Sequence, residues 1–365
     1  MKKVKTILVS VYNKKLVPNL IQLLQKHEVE IVSTGGTQKQ LQEVGLKVTS
    51  VESITDYPSI LGGRVKTLHP KIFGGILSRD NNQNDEKDLK KLNISKIDMI
   101  VVDLYPFEET VLSGSSHDEI IEKIDIGGVS LIRAAAKNYK NTLVISSTKD
   151  LEPAVNLILS KNGKTEINDR LMFANRAFNV TLNYENAIAN YFDSKQHDNS
   201  IFPNSFKHNI LNSKKLRYGE NPHQEGIYYG NLKDVFEQLN GKELSYNNLL
   251  DIDAAINLIN DFKQSSFGIL KHNNACGFAS NNNLTKAWEM ALAGDPISAF
   301  GGVLITNQNI SLTVAKNINN LFFEVLIAPS FSKDALELLK FKKNRIILRK
   351  KKSTLENMSF RTVLN

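Results

Sequence analysis

Apolar and polar positions alternate in short blocks along the first 160 residues. Runs of β-branched and apolar residues predict buried strands at Lys5–Val11, Val29–Ser33, Lys47–Val51, Ile97–Leu104 and Asn141–Ser146. Apolar residues at helical spacing predict helices at Leu16–Gln25, Gln38–Val44, Gly128–Asn138 and Leu151–Leu159. Alternation of strands and helices with short connections predicts an α/β fold, a doubly wound parallel sheet covered on both faces. Ligands of such sheets bind beyond the carboxyl ends of the strands.

The pattern changes after residue 160. Leu171, Ala174, Phe178, Leu182 and Ile188 follow the spacing of one long amphipathic helix. A polar stretch with little pattern follows, so we predict a first domain at 1–195, a linker at 196–213 and a second domain at 214–365. The second domain has helical and strand-like segments at Gly226–Tyr229, Leu249–Asp261, Gly268–Lys271, Leu284–Leu292 and Phe300–Thr306.

Composition restricts the class of protein. The chain has 365 residues, 41% of them hydrophobic, and a net charge of +8. We attribute this charge to the general abundance of lysine, because the most basic run, residues 340–352, has few aromatic residues with which to stack bases. A single cysteine, Cys276, excludes an intramolecular disulfide, and no apolar run reaches the length of a membrane span. We therefore expect a cytoplasmic protein that binds neither membrane nor nucleic acid.

Two predicted strand ends and one loop carry groups that bind anions. Ser10 lies at the end of the first strand with Lys14 just beyond it, and the turn Thr34–Thr37, which contains Gly36, follows the second strand and opens a helix. Its glycines allow backbone N–H groups to approach a ligand, although a plain tight turn has the same sequence. The stretch GGRVKTLHPKI at 62–72 gathers Arg64, Lys66 and Lys71 without an acid. Unpaired cations in a cleft require an anion, so we predict a phosphate there, with Thr67 as a further donor.

Titratable side chains also stand near predicted helix and strand ends. Asp125 precedes a predicted helix that carries Arg133 and Lys137; the alternative is that both cations simply extend into water. Tyr105 ends the most apolar strand, where a phenol can donate to a developing oxyanion, although a half-buried core tyrosine is an equal alternative. His69 precedes Pro70 and could move a proton or have a purely structural role.

The motifs GGRVKTLHP, DLYPF and DIGGVSLIRAAAKN resemble the inosine monophosphate cyclohydrolase domain of the bifunctional purine biosynthesis family over residues 5–193. This domain is similar in fold to methylglyoxal synthase. The resemblance implies that Lys66 and Tyr105 stabilise developing charge while Asp125, paired with Lys137, moves protons. It also implies that the ribotide phosphate is bound by Ser10, Lys14, Thr34, Gly36, Thr37, Arg64 and Thr67.

The second half resembles the start of the aminoimidazole-carboxamide ribotide transformylase domain of the same family. The motifs are LRYGENPHQ at 216–224, KHNNACG at 271–277 and SAFGG at 298–302. The resemblance implies a partial cytidine-deaminase-like fold, 10-formyltetrahydrofolate as formyl donor, and His272 as base beside Lys271. It further implies substrate contacts from Arg217, Tyr218, Asn248, Phe300, Gly301 and Glu324. The zinc-ligand pattern of deaminases is absent, so we predict no metal.

The sequence departs from the family at several points. Tyr12 replaces a small hydroxyl residue and Asp103 replaces an asparagine; we expect the first to cost a phosphate contact and the second to be tolerated. Family members continue for roughly another domain-sized segment. We therefore expect a C-terminally truncated member that keeps the cyclohydrolase and has an impaired transformylase, unless a separate chain supplies the remainder. The resemblance also implies a homodimer with shared active sites. The alternative function is a non-catalytic, ribotide-binding regulatory module.

Overall fold

The protein is described by a computed structural model that covers residues 1–13, 18, 20, 27–195, 210 and 212–352. The chain divides into two compact units, Met1–Asn209 and Ile210–Asn365. Lys14, most of the predicted helix at Leu16–Gln25 and most of the predicted linker lie outside the described residues. The predicted domain boundaries therefore stay a prediction.

The first unit contains a five-stranded sheet in which every neighbouring pair of strands is parallel. Its strands are β2 (Thr6–Ser10), β3 (Glu30–Ser33), β4 (Val48–Ser50), β5 (Met99–Val102) and β6 (Leu143–Ile145). Their spatial order is β4-β3-β2-β5-β6. A short antiparallel pair joins β1 (Lys2–Lys3) to β7 (Lys164–Thr165). The predicted parallel α/β sheet is thus confirmed.

Helices cover both faces of this sheet because successive strand residues point to opposite sides. Ile7 and Val9 pack into one apolar cluster, whereas Leu8 packs into the other. The described helices of the first unit are α1 (Gly35–Glu43), α2 (Val51–Thr55), α3 (Pro70–Leu77), α4 (Gln83–Lys91), α5 (Phe107–Leu112), α6 (His117–Ile121), α7 (Gly127–Lys137), α8 (Thr148–Ser160) and α9 (Ile167–Asp193). Helices α1 and α8 contribute to the first cluster, and α3, α7 and α9 to the second.

Helix α9 is fastened to the sheet layer by a buried cation. Arg170 is only 6% exposed. Its guanidinium donates hydrogen bonds to the carbonyl oxygens of Tyr139 at 2.8 Å, Lys140 at 2.8 Å and Thr165 at 3.0 Å. Burial lowers the pKa of Arg170, but the surrounding carbonyls satisfy its donors. The long helix that the apolar spacing predicted therefore packs against α7, next to the sheet edge.

The second unit contains a six-stranded mixed sheet of order β10-β15-β14-β13-β11-β12. Its strands are β10 (Phe236–Asn240), β11 (Ser266–Lys271), β12 (Asn274–Ser280), β13 (Val303–Thr306), β14 (Val325–Ala328) and β15 (Ile346–Lys350). A separate antiparallel pair joins β8 (Ser213–Lys215) and β9 (Ile227–Tyr229). The remaining described helices are α10 (Leu232–Val235), α11 (Tyr246–Asn260), α12 (Leu284–Gly294), α13 (Leu312–Ile318) and α14 (Lys333–Lys340).

The basic run at 340–352 contains a buried strand. Ile346, Ile347 and Leu348 are fully buried, and β15 lies between β10 and β14. The lysines and arginines around these residues flank an internal strand. Among the described residues of both units, no helix has the length and apolar character needed to cross a bilayer.

Candidate active site

A cleft of about 650 Å³ opens at the carboxyl edge of the first sheet. The end of β2 supplies Ser10, and the segment after β5 supplies Tyr105. The loop before α3 supplies Gly62, Gly63, Arg64, Lys66 and Thr67. The first residues of α1 and of α7 close two further sides. Carboxyl ends of parallel strands meet at one edge, so residues that are distant in sequence converge there.

Nine predicted site residues line this cleft: Ser10, Thr34, Gly36, Thr37, Arg64, Lys66, Thr67, Tyr105 and Asp125.

Lys137 does not line the cleft. Lys137 ends the eleven-residue helix α7, which begins just after Asp125, so a rise of about 1.5 Å per residue separates the two by roughly 15 Å. The expected pairing of Asp125 with Lys137 is therefore wrong within one chain. Lys14 lies outside the described residues.

The cations of the 62–72 stretch are less isolated than the sequence suggested. Arg64 forms an ion pair with Glu122, which itself lines the cleft. Lys71 pairs with Asp56 at 2.7 Å, away from the cleft. The prediction of three unpaired cations is therefore wrong for these two, because acids distant in sequence reach them. His69 caps α3, where its Nδ1 accepts a hydrogen bond from the Lys71 N–H at 3.2 Å. This favours the structural role for His69.

Asp125 lies in a mostly buried position at the start of α7. Its carboxylate accepts the Gly128 N–H at 2.6 Å, and its own N–H donates to the Tyr184 hydroxyl at 2.9 Å. Burial raises the pKa of Asp125, and the nearby charge of Asp103 raises it further, whereas the Gly128 N–H and Lys66 act in the opposite direction. A carboxyl group held in this way is suited to exchange protons nearer to neutral pH than a solvated aspartate.

Tyr105 borders the cleft beside an aromatic and a cationic neighbour. Its ring packs edge-on against Tyr12, with ring centroids 5.4 Å apart. The Lys123 Nζ lies 5.5 Å from the Tyr12 centroid and 5.8 Å from the Tyr105 centroid. Burial raises the pKa of Tyr105, and Asp125 adds to this rise, so the phenol is a hydrogen-bond donor at neutral pH.

Two helix N-termini face the cleft. Thr34 and Gly36 begin α1, and Gly127 and Gly128 begin α7. The predicted turn at Thr34–Thr37 is thus the first turn of a helix, whose free N–H groups favour an anion. The Thr37 hydroxyl donates to the Val11 carbonyl at 3.0 Å and accepts the Val11 N–H at 3.2 Å. Thr37 therefore also connects α1 to the loop after β2.

Several residues that line the cleft were not predicted from the sequence as site residues. Tyr12, Asp103, Glu122 and Ile126 all line the cavity. Asp103 accepts hydrogen bonds from the backbone N–H groups of Tyr12 and Asn13, the latter at 2.9 Å. The sequence signals for the first two were the departures from the family pattern. For Glu122 and Ile126, the only sequence signal was that they lie within three residues of Asp125.

The second unit brings some of its predicted residues together. Lys271 Nζ donates to the Phe300 carbonyl at 2.9 Å, and the Asn248 side-chain amide donates to the Glu324 carboxylate at 3.1 Å. Gly301 follows Phe300 and has a φ of 77°. The Gly301 N–H donates to the Phe322 carbonyl at 2.8 Å. Lys271 lies at the carboxyl end of β11, and Phe300 and Glu324 lie just before the starts of β13 and β14, at one edge of the sheet.

His272 occupies the tip of the hairpin between β11 and β12. His272 and Asn273 both have positive φ values, 52° and 63°, which residues other than glycine adopt rarely. The Asn273 N–H donates to the Asp251 carboxylate at 2.7 Å and so holds the tip. Backbone strain of this kind often accompanies functional positions.

Arg217 and Tyr218 lie in a loop near the start of α11. The Arg217 guanidinium lies 5.3 Å from the Tyr218 ring centroid. The Asn247 amide donates to the Glu220 carbonyl at 3.0 Å, which brings this loop close to Asn248. Across residues 1–13, 27–195 and 212–352, no group of three or more His, Cys, Asp or Glu side chains is arranged to hold a metal ion.

Comparison with known proteins identifies the relatives of this chain. The family model described as AICARFT/IMPCHase bienzyme matches residues 135–365, and the model of the MGS-like domain matches residues 17–130. The chain is 51% identical to the bifunctional purine biosynthesis protein PurH of Bacteroides thetaiotaomicron, over 100% of this chain and 71% of that protein. The PurH proteins of Petrotoga mobilis and Clostridium botulinum are 41% and 43% identical over 99% and 96% of this chain.

The chain belongs to the AICARFT/IMPCHase bienzyme family. The predicted family, the predicted α/β fold and the assignment to bifunctional enzymes of purine biosynthesis are thereby confirmed. The chain spans 70 to 72% of the length of these three relatives. The roles of individual residues in this bienzyme stay predictions.

Proposed function

We propose that the cleft of the first unit closes the purine ring of inosine monophosphate on a formylated ribotide. The observation that carries this proposal is the convergence of Lys66, Tyr105 and Asp125 beside two helix N-termini in one cleft. Binding alone needs only the phosphate site. A partly buried acid with a raised pKa beside a phenol and an ammonium group favours catalysis.

The chemistry fits this arrangement. The carboxamide nitrogen of the substrate attacks its own formyl carbon and forms the new N–C bond. Negative charge develops on the formyl oxygen, where the Tyr105 hydroxyl and the Lys66 ammonium can stabilise it. Asp125 accepts the proton that the nitrogen loses and returns a proton to the departing oxygen. The C–O bond of the resulting hydroxyl then breaks, the former formamide nitrogen gives up its proton as the C=N bond forms, and one water molecule leaves. A cleft that holds both groups close supplies the orientation.

The phosphate end of the ribotide would lie against α1. The N-terminus of this helix, the Thr34 and Thr67 hydroxyls and Ser10 offer hydrogen-bond donors. Arg64 would exchange its exposed pairing with Glu122 for the phosphate, an exchange of low cost because surface ion pairs contribute about 0–1 kcal/mol. Lys14 remains part of this prediction.

We further propose that the second unit contributes to formyl transfer from 10-formyltetrahydrofolate to the ribotide amine. Support comes from the strained position of His272, the contact of Lys271 with the Phe300 loop, and the Asn248–Glu324 hydrogen bond. His272 would act as the base for a weakly nucleophilic aromatic amine. The expected impairment of this step, and its rescue by a separate chain, stay predictions.

The position of Lys137 favours the predicted homodimer. Lys137 is exposed at the far end of α7, so a second copy is the most direct way to bring it to an Asp125 carboxylate. Sedimentation of wild type and of Lys137→Ala, together with assays of heterodimers that mix Lys137→Ala with Asp125→Asn chains, tests this. Recovery of activity in the mixed dimer supports shared sites, and no recovery contradicts them.

Turnover separates the proposed enzyme from a regulatory binding module. Purified chain is mixed with formylated ribotide, and inosine monophosphate is followed by its absorbance. Lys66→Met should abolish turnover while product binding falls by less than tenfold. Wild-type binding of the ribotide without turnover would favour the regulatory module instead.

A further inference from the structure

Asp103 has no part in the reaction scheme above, although it lines the cleft. It follows β5, whose end lies beside the end of β2, with Val102 opposite Ser10. Its two carboxylate oxygens accept the backbone N–H groups of Tyr12 and Asn13, the first two residues beyond Val11 in the loop after β2. The Asp103 carboxylate therefore connects the end of β5 to the loop after β2.

The fastened loop carries groups that face the substrate. Ser10 precedes it, and Tyr12 borders the cleft within it. Asp103 holds the backbone of Tyr12, whose ring packs edge-on against Tyr105. Hydrogen bonds to an ionised acceptor are shorter and stronger than neutral ones, so a carboxylate here restrains the loop more firmly than an amide.

The charge of Asp103 also acts on its neighbour in the cleft. It disfavours the ionised form of Asp125 and so raises the pKa of that group, an effect that adds to burial. The other charged or titratable groups around Asp125 are Lys66, Tyr105, Tyr184, Lys123 and the Arg64–Glu122 pair. Lys66 acts in the opposite direction to Asp103.

We propose that Asp103 is a positioning residue whose carboxylate fastens the loop after β2 to the end of β5 beside the cleft. The effect of its charge on the pH profile is a second expectation, which rests on the proposed cyclohydrolase function, whereas the loop restraint does not. The two parts make separate predictions, because an amide keeps an acceptor oxygen but removes the charge.

Two variants of the full chain separate these effects. Asp103→Ala removes both acceptors, so the Tyr12 and Asn13 amides should lose their protection from hydrogen exchange, and KM for the formylated ribotide should rise about tenfold with a smaller change in kcat. Asp103→Asn keeps one acceptor, so KM should stay within about threefold of wild type. Asp118→Asn, at an exposed acid on α6, is the matched control for loss of one charge.

The pH profile tests the charge. Asp103→Asn lowers the pKa of Asp125, so the acidic limb of kcat/KM should move to lower pH, whereas the limb of Asp118→Asn should coincide with that of wild type. An unmoved limb in Asp103→Asn overturns this part. Equal amide exchange in wild type and Asp103→Ala overturns the loop restraint. If wild type shows no turnover, the proposed function fails, and the exchange data together with an NMR titration of the Asp125 carboxyl carbon still decide both parts.

Discussion

Gly128→Ala tests the placement of Asp125 without removing any reacting group. A Cβ at position 128 would lie 2.6 Å from the Asp125 Oδ2 and 2.9 Å from its Oδ1 and Cγ. Ordinary contact begins at 3.4 Å, so the nearest oxygen must retreat by about 0.8 Å. The carboxylate is the flexible end of a side chain, so it moves and the helix backbone stays in place.

Two opposing terms set the stability of this variant. Alanine is favoured over glycine inside a helix by about 1 kcal/mol. Displacing the carboxylate weakens its hydrogen bond with the Gly128 N–H at the start of α7, and loss of such a capping contact costs about 1 kcal/mol. The free energy of unfolding should therefore stay within about 1 kcal/mol of wild type. Catalysis has no such compensation, and a misplacement near 1 Å can lower the rate about a hundredfold.

The assay compares kcat for cyclisation with stability from urea unfolding. Ser130→Ala in the same helix is the control, since it also raises helix propensity but lies one turn beyond the carboxylate. We expect a large loss of kcat in Gly128→Ala at nearly unchanged stability, and full activity in Ser130→Ala. Wild-type kcat in Gly128→Ala would refute the reasoning that the position of Asp125 limits the reaction.

Three further predictions address separate features. Tyr105→Phe removes the oxyanion donor and should lower kcat by about 10²–10³ with KM nearly unchanged in steady-state assays; an unaltered kcat would exclude this role. Arg170→Met leaves buried carbonyl oxygens without donors and should destabilise the chain by about 3 kcal/mol or more in urea titrations followed by circular dichroism. A loss below 1 kcal/mol would show that water replaces the guanidinium. His272→Gly relieves a positive φ and should stabilise the second unit by about 1 kcal/mol, as Trp288 fluorescence in urea reports, while any formyl transfer falls; a less stable variant contradicts the strain argument.

The first sheet was predictable because its strands are buried on both faces. Runs such as Ile97–Leu104 carry a continuous apolar signal, and the helix around Arg133 shows its buried face through spacing alone. The short helices α4 and α6 show no such apolar periodicity. The local signals for them are the N-cap residues Asn82 and Ser116. Caps act over three residues, whereas periodicity needs several turns to be visible.

The sequence motifs predicted which residues line the cleft. They did not predict which charged side chains form ion pairs. Lys66, Tyr105 and Asp125 line one cleft, and their roles stay predictions. The sequence could not show that Glu122 reaches Arg64, because 58 residues separate them. Lys137 is separated from the Asp125 of its own chain by the length of α7, a separation that the sequence spacing already indicates.

The cleft of the first unit is proposed to close a purine ring. The most direct measurement is the rate of inosine monophosphate formation from formylated ribotide by the purified chain and by Asp125→Asn. We expect turnover by wild type, with a loss of at least about a hundredfold in Asp125→Asn and retained product binding. Equal rates in the two proteins, or no turnover by wild type, would contradict it.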